Sequence, residues 1–224
     1  MLQDLRQEVC WANRMLREHR LVAWTSGNVA GRDPASGLVA VKPSGVLFED
    51  LAPETMVLVD LDGRVVEGRL KPSVDTATAL YILRQMPEVH AVIHTHSGYA
   101  SSFAALGKDI PVYLTEHGDA FGIPIPCGNY AKIGGTQIGE EVVRVLRATG
   151  GRCPAVLMRS HGVFTVGRTV RGALKAAVVV EDIARTVHLA IAKGAPIPIP
   201  PEEAERLYQV YHTRYGQKAG GGFE

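Results

Sequence analysis

Several apolar, β-prone segments of this chain are joined by connections of only a few residues, and this restricts the fold more than any other feature. Residues 56–60 and 64–67 flank the dipeptide Asp62-Gly63, which is a frequent hairpin turn. Residues 155–158 and 163–166 are separated by a similarly short segment. Strands joined in this way pair antiparallel, because a parallel pair needs a long crossover connection. The sequence therefore predicts a mixed, mainly antiparallel sheet.

Longer segments with apolar residues at helical spacing alternate with the strands and predict helices that cover the sheet. The predicted helices are residues 2–16, 75–86, 97–106, 136–148, 173–192 and 202–211, and further strands are predicted at 38–42, 89–94 and 110–114. We expect one α/β domain over residues 1–215, with an α+β-like arrangement of three layers and the sheet flanked by helices. Residues 216–224 are rich in glycine and predict a flexible tail.

The composition argues against several classes of partner. The formal net charge is only +1, and no cluster of Lys and Arg suggests binding to nucleic acid or to a membrane surface. Cys10, Cys127 and Cys153 form no Cys-x-x-Cys pair, so they are expected to be thiols in a reducing compartment. The sequence starts without the apolar core of a signal peptide, and no apolar run reaches the ~18 residues that span a bilayer. We expect a cytoplasmic protein.

Two histidines stand at the end of the apolar segment 89–94 and just beyond it. His94 and His96 are two residues apart, so on a strand both imidazoles point to the same face. Burying two imidazoles side by side is costly without a metal ion or an acidic partner. His161 is a third candidate ligand, and three imidazoles with an open fourth position are typical of a catalytic zinc site. Asp75 either adds a carboxylate to this site or simply caps the helix that follows it.

Three short polar turns are candidates for binding a phosphate group. They are residues 26–28, 43–45 and 72–74, and each contains a serine next to a glycine or a proline. Backbone N–H groups and serine hydroxyls in such turns donate hydrogen bonds to anions. Taken alone, each turn is better explained as an ordinary reversal of the chain. Together with a metal site, and with Lys42 and Lys71 beside them, they indicate a small phosphorylated substrate.

These motifs, in this order, resemble those of the class II aldolase/adducin family, in particular its L-ribulose-5-phosphate 4-epimerase branch. The resemblance extends from Leu2 to Gln217. It is carried by Ser26-Gly27-Asn28-Val29, Lys42-Pro43-Ser44-Gly45-Val46, Lys71-Pro72-Ser73-Val74-Asp75-Thr76, His94-Thr95-His96-Ser97, Ile125-Pro126-Cys127, Ser160-His161-Gly162 and Tyr215-Gly216-Gln217.

The resemblance implies the class II aldolase/adducin fold and a fourfold-symmetric homotetramer whose active sites lie between neighbouring subunits. It implies one divalent metal ion per subunit, zinc or alternatively manganese or cobalt, on His94, His96, His161 and Asp75. Substrate and phosphate contacts are implied for Gly27, Asn28, Lys42, Ser44, Gly45 and Ser73. The implied catalytic residues are Asp75, which lies beside the metal, and the acid/base pair of Asp119 and Tyr215, with Tyr215 reaching in from the adjacent subunit.

The implied reaction is epimerisation of L-ribulose 5-phosphate at C4, by cleavage and re-formation of the C3–C4 bond, to give D-xylulose 5-phosphate. A sugar-phosphate aldolase similar to L-fuculose-phosphate aldolase, a dehydratase, and a non-enzymatic interaction domain similar to the adducin head remain as alternatives. The sequence departs from the epimerase pattern at one position expected to contact the phosphate of the substrate. Val74 stands where epimerases have a serine, so one hydroxyl donor to the phosphate is missing.

Overall fold

The computed structural model describes residues 1–215, which form an eight-stranded sheet with helices on both faces. The strands are β1 (Asn28–Arg32), β2 (Val39–Val41), β3 (Val57–Val59), β4 (Val65–Glu67), β5 (Ala91–Thr95), β6 (Cys127–Gly128), β7 (Ala155–Met158) and β8 (Gly162–Gly167). Their order across the sheet is β4-β3-β2-β1-β5-β8-β7-β6. Only β6 and β7 pair parallel among these described strands, which confirms the prediction of a mixed, mainly antiparallel sheet. The predicted tail, residues 216–224, lies outside the described residues.

The helices lie between and after these strands along the chain. They are α1 (Gln3–Glu18), α2 (Thr76–Gln85), α3 (Gly98–Leu106), α4 (Thr115–Phe121), α5 (Gln137–Ala148), α6 (Val170–Lys193) and α7 (Pro201–Arg214), with short 3-10 turns at Phe48–Asp50 and Pro53–Thr55. Apolar periodicity predicts six of these helices but not α4. The predicted strand at 110–114 is wrong, because Ile110 makes only an isolated antiparallel bridge to Ile125.

The alternation of side chains along the strands creates two apolar layers. Val92 of β5 and Phe164 of β8 point to the face covered by α2 and α5. Ala91 and Ile93 point to the opposite face, where α1 and the first half of α6 pack. A third apolar cluster joins α3, α4 and the second half of α6 to β7 and β8. Both faces of the central strands are therefore buried, and polar groups concentrate where the strands end.

Two elements that the sequence does not predict depend on tertiary contacts. The strand β1 contains Asn28 and Gly31, which are poor strand formers, and its Val29 N–H is held by the Asn13 carboxamide oxygen at 3.1 Å. In α4, a Cβ at Gly118 would lie 2.7 Å from Leu207 of α7, so the glycine permits a close approach of the two helices. Both elements are fixed by distant parts of the chain, which local patterns do not reveal.

Candidate metal centre

Three histidine rings converge at one end of the sheet, where β5 ends beside the beginnings of β1 and β8. The strand register places His94 opposite Asn28 of β1 and Phe164 of β8. His94 Nε2 lies 2.8 Å from Nε2 of His96 and 3.2 Å from Nε2 of His161. One nitrogen of each ring lies within 4.8 Å of the other two. The structure thus brings together the rings that the sequence spacing singled out.

The protonation of His94 follows from its surroundings. Its Nδ1 lies 3.0 Å from the Val163 carbonyl, and because a carbonyl only accepts, Nδ1 carries the proton and donates. The ring stacks on Phe164 with centroids 4.3 Å apart. Burial, helped by the neighbouring rings of His96 and His161, lowers the pKa of His94 to about 3. The ring is therefore neutral at pH 7, with the lone pair of Nε2 directed at the other two histidines.

The donor chemistry of this cluster fits a divalent metal ion. Burial also lowers the pKa of both His96 and His161, so all three imidazoles favour the neutral form that binds metals. Two neutral ring nitrogens as close as those of His94 and His96 need a proton or a cation between them. Histidines that bind a metal through one ring nitrogen commonly donate a hydrogen bond from the other nitrogen, which orients the ring. The hydrogen bond from His94 Nδ1 to the Val163 carbonyl is of this kind.

The turn that carries His161 is unusually tight. Ser160 has a φ of 59°, a left-handed conformation that is uncommon for residues other than glycine. A Cβ at Gly162 would lie 2.4 Å from the Thr95 carbonyl oxygen and 3.0 Å from the His96 ring. Only glycine therefore allows the β7–β8 turn to lie this close to the end of β5, and this approach brings His161 to the other two rings.

Asp75 stands at the N-terminus of α2, yet its side chain makes no capping hydrogen bond. Instead its Oδ2 accepts a hydrogen bond from the Asn28 Nδ2 at 2.8 Å. Its negative charge also opposes the lowering of the pKa of His96 and His161, which reflects its closeness to both rings. Of the two interpretations offered by the sequence, the carboxylate beside the histidines describes this geometry, and the capping interpretation does not.

The polar turns and the histidines line one cavity of about 340 Å³. Its walls are Thr25, Ser26, Gly27, Asn28, Lys42, Pro43, Ser44, Gly45, Ser73, Val74, Asp75, His94, His96, Ile133 and His161. Gly27 has a φ of +86°, and a Cβ there would lie 2.5 Å from Val22, so this turn requires glycine. All the predicted substrate-contacting and metal-binding residues thus face one space, and Asp119 and Tyr215 do not.

Lys42 is the buried cation of this cavity, with 2% of its side chain exposed. Its Nζ donates to the carbonyls of Thr25 and Pro43 at 3.3 and 3.4 Å and lies 4.8 Å from the centre of the Phe48 ring. Burial lowers the pKa of this ammonium group. Because carbonyl dipoles and an aromatic face only partly replace water, an anionic ligand in the cavity would interact strongly with this charge.

A second cavity, of about 270 Å³, contains the two remaining candidate residues. It is lined by Thr115, Glu116, Asp119, Ala120, Lys175, Val179, Tyr211 and Tyr215. Burial is the main cause that raises the pKa of Asp119, against the opposing charges of Arg206 and His212. Within the described part of the chain, no residue lines both cavities. The chain therefore keeps Asp119 and Tyr215 together in one cavity and its histidine cluster in another.

The second cavity includes residues that the sequence analysis missed. The Tyr215 ring stacks on Tyr211 with centroids 4.6 Å apart, and Lys175 Nζ lies 3.4 Å from the Tyr211 hydroxyl. Glu116 has a raised pKa, caused first by burial and then by Asp182 and Asp119. The only signal for this group in the sequence is the spacing of four residues between Tyr211 of α7 and Tyr215, the residue that follows this helix, and such a spacing also suits ordinary packing.

His117 of α4 is expected to make folding sensitive to acid. Its side chain is fully buried, its Nε2–H donates to the Ile123 carbonyl at 2.9 Å, and burial lowers its pKa to about 4. The unfolded chain binds this proton near pH 6.5, so stability is complete above that pH and falls as the pH drops towards 4. Acidification from pH 7 to 5 should therefore cost roughly 2 kcal/mol from this group.

Urea unfolding of the unaltered protein and of His117→Gln at both pH values measures this loss. Glutamine can keep the hydrogen bond to Ile123 but does not titrate, so the variant should lose correspondingly less stability on acidification. An equal loss in both proteins would show that His117 is not responsible.

Two further properties bear on the sequence-based expectations. Cys10, Cys127 and Cys153 are all free thiols. Within residues 1–215, none of the helices combines the length and the apolar character needed to cross a bilayer.

Comparison with known proteins gives consistent matches over nearly the whole chain. Residues 7–188 match the family described as the Class II Aldolase and Adducin N-terminal domain. The L-ribulose-5-phosphate 4-epimerase UlaF of Salmonella paratyphi B is 36% identical, with 97% of this chain and 98% of that protein covered. The same protein of Salmonella typhi is 39% identical over the same shares.

Solved structures agree with this match. A structure of L-fuculose 1-phosphate aldolase superimposes with a TM-score of 0.84 at 29% identity, covering 93% of this chain and 96% of that one. The L-fuculose-1-phosphate aldolase of Thermus thermophilus shares the fold with a TM-score of 0.71 at 22% identity, over 86% of this chain and 98% of that one.

Proposed function

This chain belongs to the class II aldolase and adducin family, and we propose that it is a metal-dependent L-ribulose-5-phosphate 4-epimerase that forms D-xylulose 5-phosphate. The observation that carries the proposal is the single cavity that holds three converging imidazoles together with the polar turns. The curated relatives that match over almost their full length carry this activity in their names. The chain is accordingly an enzyme, with a small phosphorylated ketose as its substrate.

His94, His96 and His161 would hold one divalent ion per subunit, with the Asp75 carboxylate beside it. Zinc is the ion we propose, because three imidazoles and a carboxylate suit its preferred ligands, and manganese or cobalt are the alternatives. When bound, such an ion supplies Lewis-acid polarisation of the ketone oxygen at C2. Asn28 keeps the Asp75 carboxylate oriented through the hydrogen bond between the two side chains.

The polar turns would bind the phosphate and retain the fragment that carries it. Gly27, Asn28, Ser44, Gly45 and Ser73 present backbone N–H groups and hydroxyls to the cavity, and Lys42 contributes a positive charge. Cleavage of the C3–C4 bond gives the enediolate of dihydroxyacetone and glycolaldehyde phosphate. The aldehyde must then turn before the bond re-forms, so that C4 is inverted. The clamp on the phosphate prevents loss of the aldehyde during this rotation.

Asp119 and Tyr215 would transfer the protons on the two faces of that aldehyde. One group removes the proton of the C4 hydroxyl as the bond breaks, and the other returns a proton to the C4 oxygen after rotation. The partial burial that raises the pKa of Asp119 brings this carboxyl closer to the range useful for acid and base catalysis. Asp75 remains a candidate for proton transfer beside the metal.

The complete site requires two copies of the chain. Asp119 and Tyr215 line a cavity separate from the histidines of the same subunit, so a neighbouring subunit would bring them to the metal cavity. The expectation that Tyr215 acts across the interface therefore extends to Asp119. We propose a homotetramer with active sites at its subunit interfaces and, from the sequence, a cytoplasmic location.

Product analysis separates this proposal from its alternatives. Zinc-loaded protein is incubated with L-ribulose 5-phosphate, and the products are followed by carbon-13 NMR. We expect D-xylulose 5-phosphate to be the main product. Accumulation of dihydroxyacetone and glycolaldehyde phosphate instead would favour a sugar-phosphate aldolase, the second candidate, which is supported by the superposition on L-fuculose 1-phosphate aldolase. An absence of both products would favour the adducin-like interaction domain or a dehydratase.

Val74 offers a test of the proposed phosphate clamp, the group formed by Gly27, Asn28, Lys42, Ser44, Gly45 and Ser73. Its side chain is 68% exposed, lines the metal cavity and lacks the hydroxyl found at this position in epimerases. Val74→Ser should add a donor to the phosphate worth about 1 kcal/mol, which lowers KM about fivefold. Val74→Ala is the control, because it removes both methyl groups of the valine without adding a hydroxyl. Equal KM values for the two variants would remove this position from the phosphate clamp.

A further inference from the structure

His96 is the most exposed of the three histidine rings. His94 is fixed by the Val163 carbonyl and by Phe164, whereas His96 is exposed. Among the described residues, the hydrogen bond recorded for the His96 ring leads only to His94, another member of the cluster. The direction of the His96 side chain therefore depends on the main chain that carries it.

The main chain around His96 is held in place on both sides by secondary structure. On one side, Thr95 pairs with Val163 in the β5–β8 ladder. On the other side, α3 begins at Gly98, and Ser97 at its N-cap position makes no side-chain capping hydrogen bond. Only residues 96 and 97 lie between these two elements, so a shift of the first turn of α3 is transmitted directly to His96.

The first turn of α3 is held by a carboxylate from another helix. Glu181 of α6 accepts hydrogen bonds from the Tyr99 N–H to Oε1 at 3.0 Å and from the Ala100 N–H to Oε2 at 2.9 Å. A negative charge at a helix N-terminus is favourable in itself, and here it satisfies two of the N–H groups that α3 cannot pair internally. Glu181 thus replaces the missing local cap.

We propose that Glu181 is a positioning residue for the metal ligand His96, acting through the first turn of α3. This inference rests on the proposed metal centre but concerns a residue outside it, which does not line the metal cavity. Without Glu181 the first turn would fray, and His96 would sample directions in which its Nε2 points away from His94. Partners that hydrogen-bond a metal ligand directly typically change metal affinity 10- to 100-fold. Glu181 acts on His96 through two backbone N–H groups of α3, so we expect an effect at the lower end of this range, about 10-fold.

If Glu181 only stabilised the fold, its removal would lower thermal stability without changing zinc affinity. The packing of α3 argues against this purely structural role. Ala100, Phe103 and Ala104 of α3 are buried in the apolar cluster shared with α6, and Tyr99 contacts the His188 ring with centroids 5.4 Å apart. These contacts should keep α3 docked when the carboxylate is removed. The loss of helical order is then confined to the first turn of α3. It should change the orientation of His96 while lowering the stability of the whole fold only slightly.

The test uses Glu181→Ala, Glu181→Gln and the control Asp182→Asn. Asp182 is the next residue on α6 and pairs with Arg185 on the surface, so its variant changes a neighbouring charge without touching α3. Zinc affinity is measured by competition with a chromophoric chelator, and the visible spectrum of the cobalt-loaded protein reports the ligand geometry. Thermal unfolding of the metal-free proteins measures the structural effect separately.

We expect Glu181→Ala to bind zinc about 10-fold more weakly, the lower end of the range for groups that orient metal ligands, and to alter the cobalt spectrum. Glu181→Gln keeps one acceptor oxygen and should be intermediate, and it alone carries the test if the alanine variant does not fold. Asp182→Asn should match the unaltered protein. Lower thermal stability with unchanged zinc affinity would overturn the inference alone. Failure of the unaltered protein to bind zinc would instead overturn the proposed metal centre, and this inference with it.

Discussion

Replacement of His94 by glutamine is expected to lower zinc affinity by more than about 100-fold, beyond the range usual for outer-shell substitutions, and to abolish epimerisation. His94 is the central ring of the cluster, since its Nε2 lies within 3.2 Å of a nitrogen of both other histidines. The substitution removes one ligand and also the orienting contact to Val163. Metal content is measured by mass spectrometry after dialysis, together with turnover of L-ribulose 5-phosphate.

His19→Gln is the matched control for this experiment. His19 is exposed at the end of α1 and lies outside the metal cavity, so its variant should retain both metal and turnover. A His94→Gln protein that still holds one tightly bound ion per chain would mean that the metal is bound elsewhere.

Replacement of Asp119 by asparagine should lower turnover about 10²- to 10⁴-fold, the usual contribution of a general acid or base, and should leave metal content unchanged. Asparagine keeps the shape of the side chain but cannot exchange a proton. Turnover and metal content should respond separately, because Asp119 lines the second cavity and is not one of the proposed metal ligands. Loss of metal in this variant would show that Asp119 has been assigned to the wrong site.

The two inactive variants together test where the active site is assembled. If one chain supplies the metal cavity and a neighbouring chain supplies Asp119, hybrid oligomers of His94→Gln and Asp119→Asn contain some sites with neither substitution. For random mixing around a closed ring, roughly one quarter of the sites are intact, so turnover should recover to about that fraction. No recovery in hybrids verified by native mass spectrometry would place both residues in one subunit's site.

The sequence predicts the parts of the fold that local patterns determine. Short turns indicate the antiparallel pairing, and the alternation of residues on β5 predicts that His94 and His96 point the same way. Gly118 and Asn28 illustrate what it cannot predict, because their elements depend on contacts with α7 and α1 respectively. The capping interpretation of Asp75 can be rejected only from the structure, in which its carboxylate makes no capping hydrogen bond and accepts one from Asn28 instead.

The sequence also does not reveal that Asp119 and Tyr215 line the same cavity. Their proximity arises from the packing of α4 against α7, two helices far apart along the chain, and α4 itself is not predicted from the sequence. The family resemblance names both residues without indicating that one subunit holds them together. The consequence, that a neighbour would contribute both, comes from the two separate cavities of the structure.

Metal removal and restoration test the central claim most directly. The protein is assayed for conversion of L-ribulose 5-phosphate to D-xylulose 5-phosphate as isolated, after treatment with a chelator, and after addition of zinc, with metal content measured at each stage. We expect one divalent ion per chain at the start, loss of turnover with loss of the ion, and recovery of both on addition of zinc. Full conversion by protein shown to contain no metal would contradict the account.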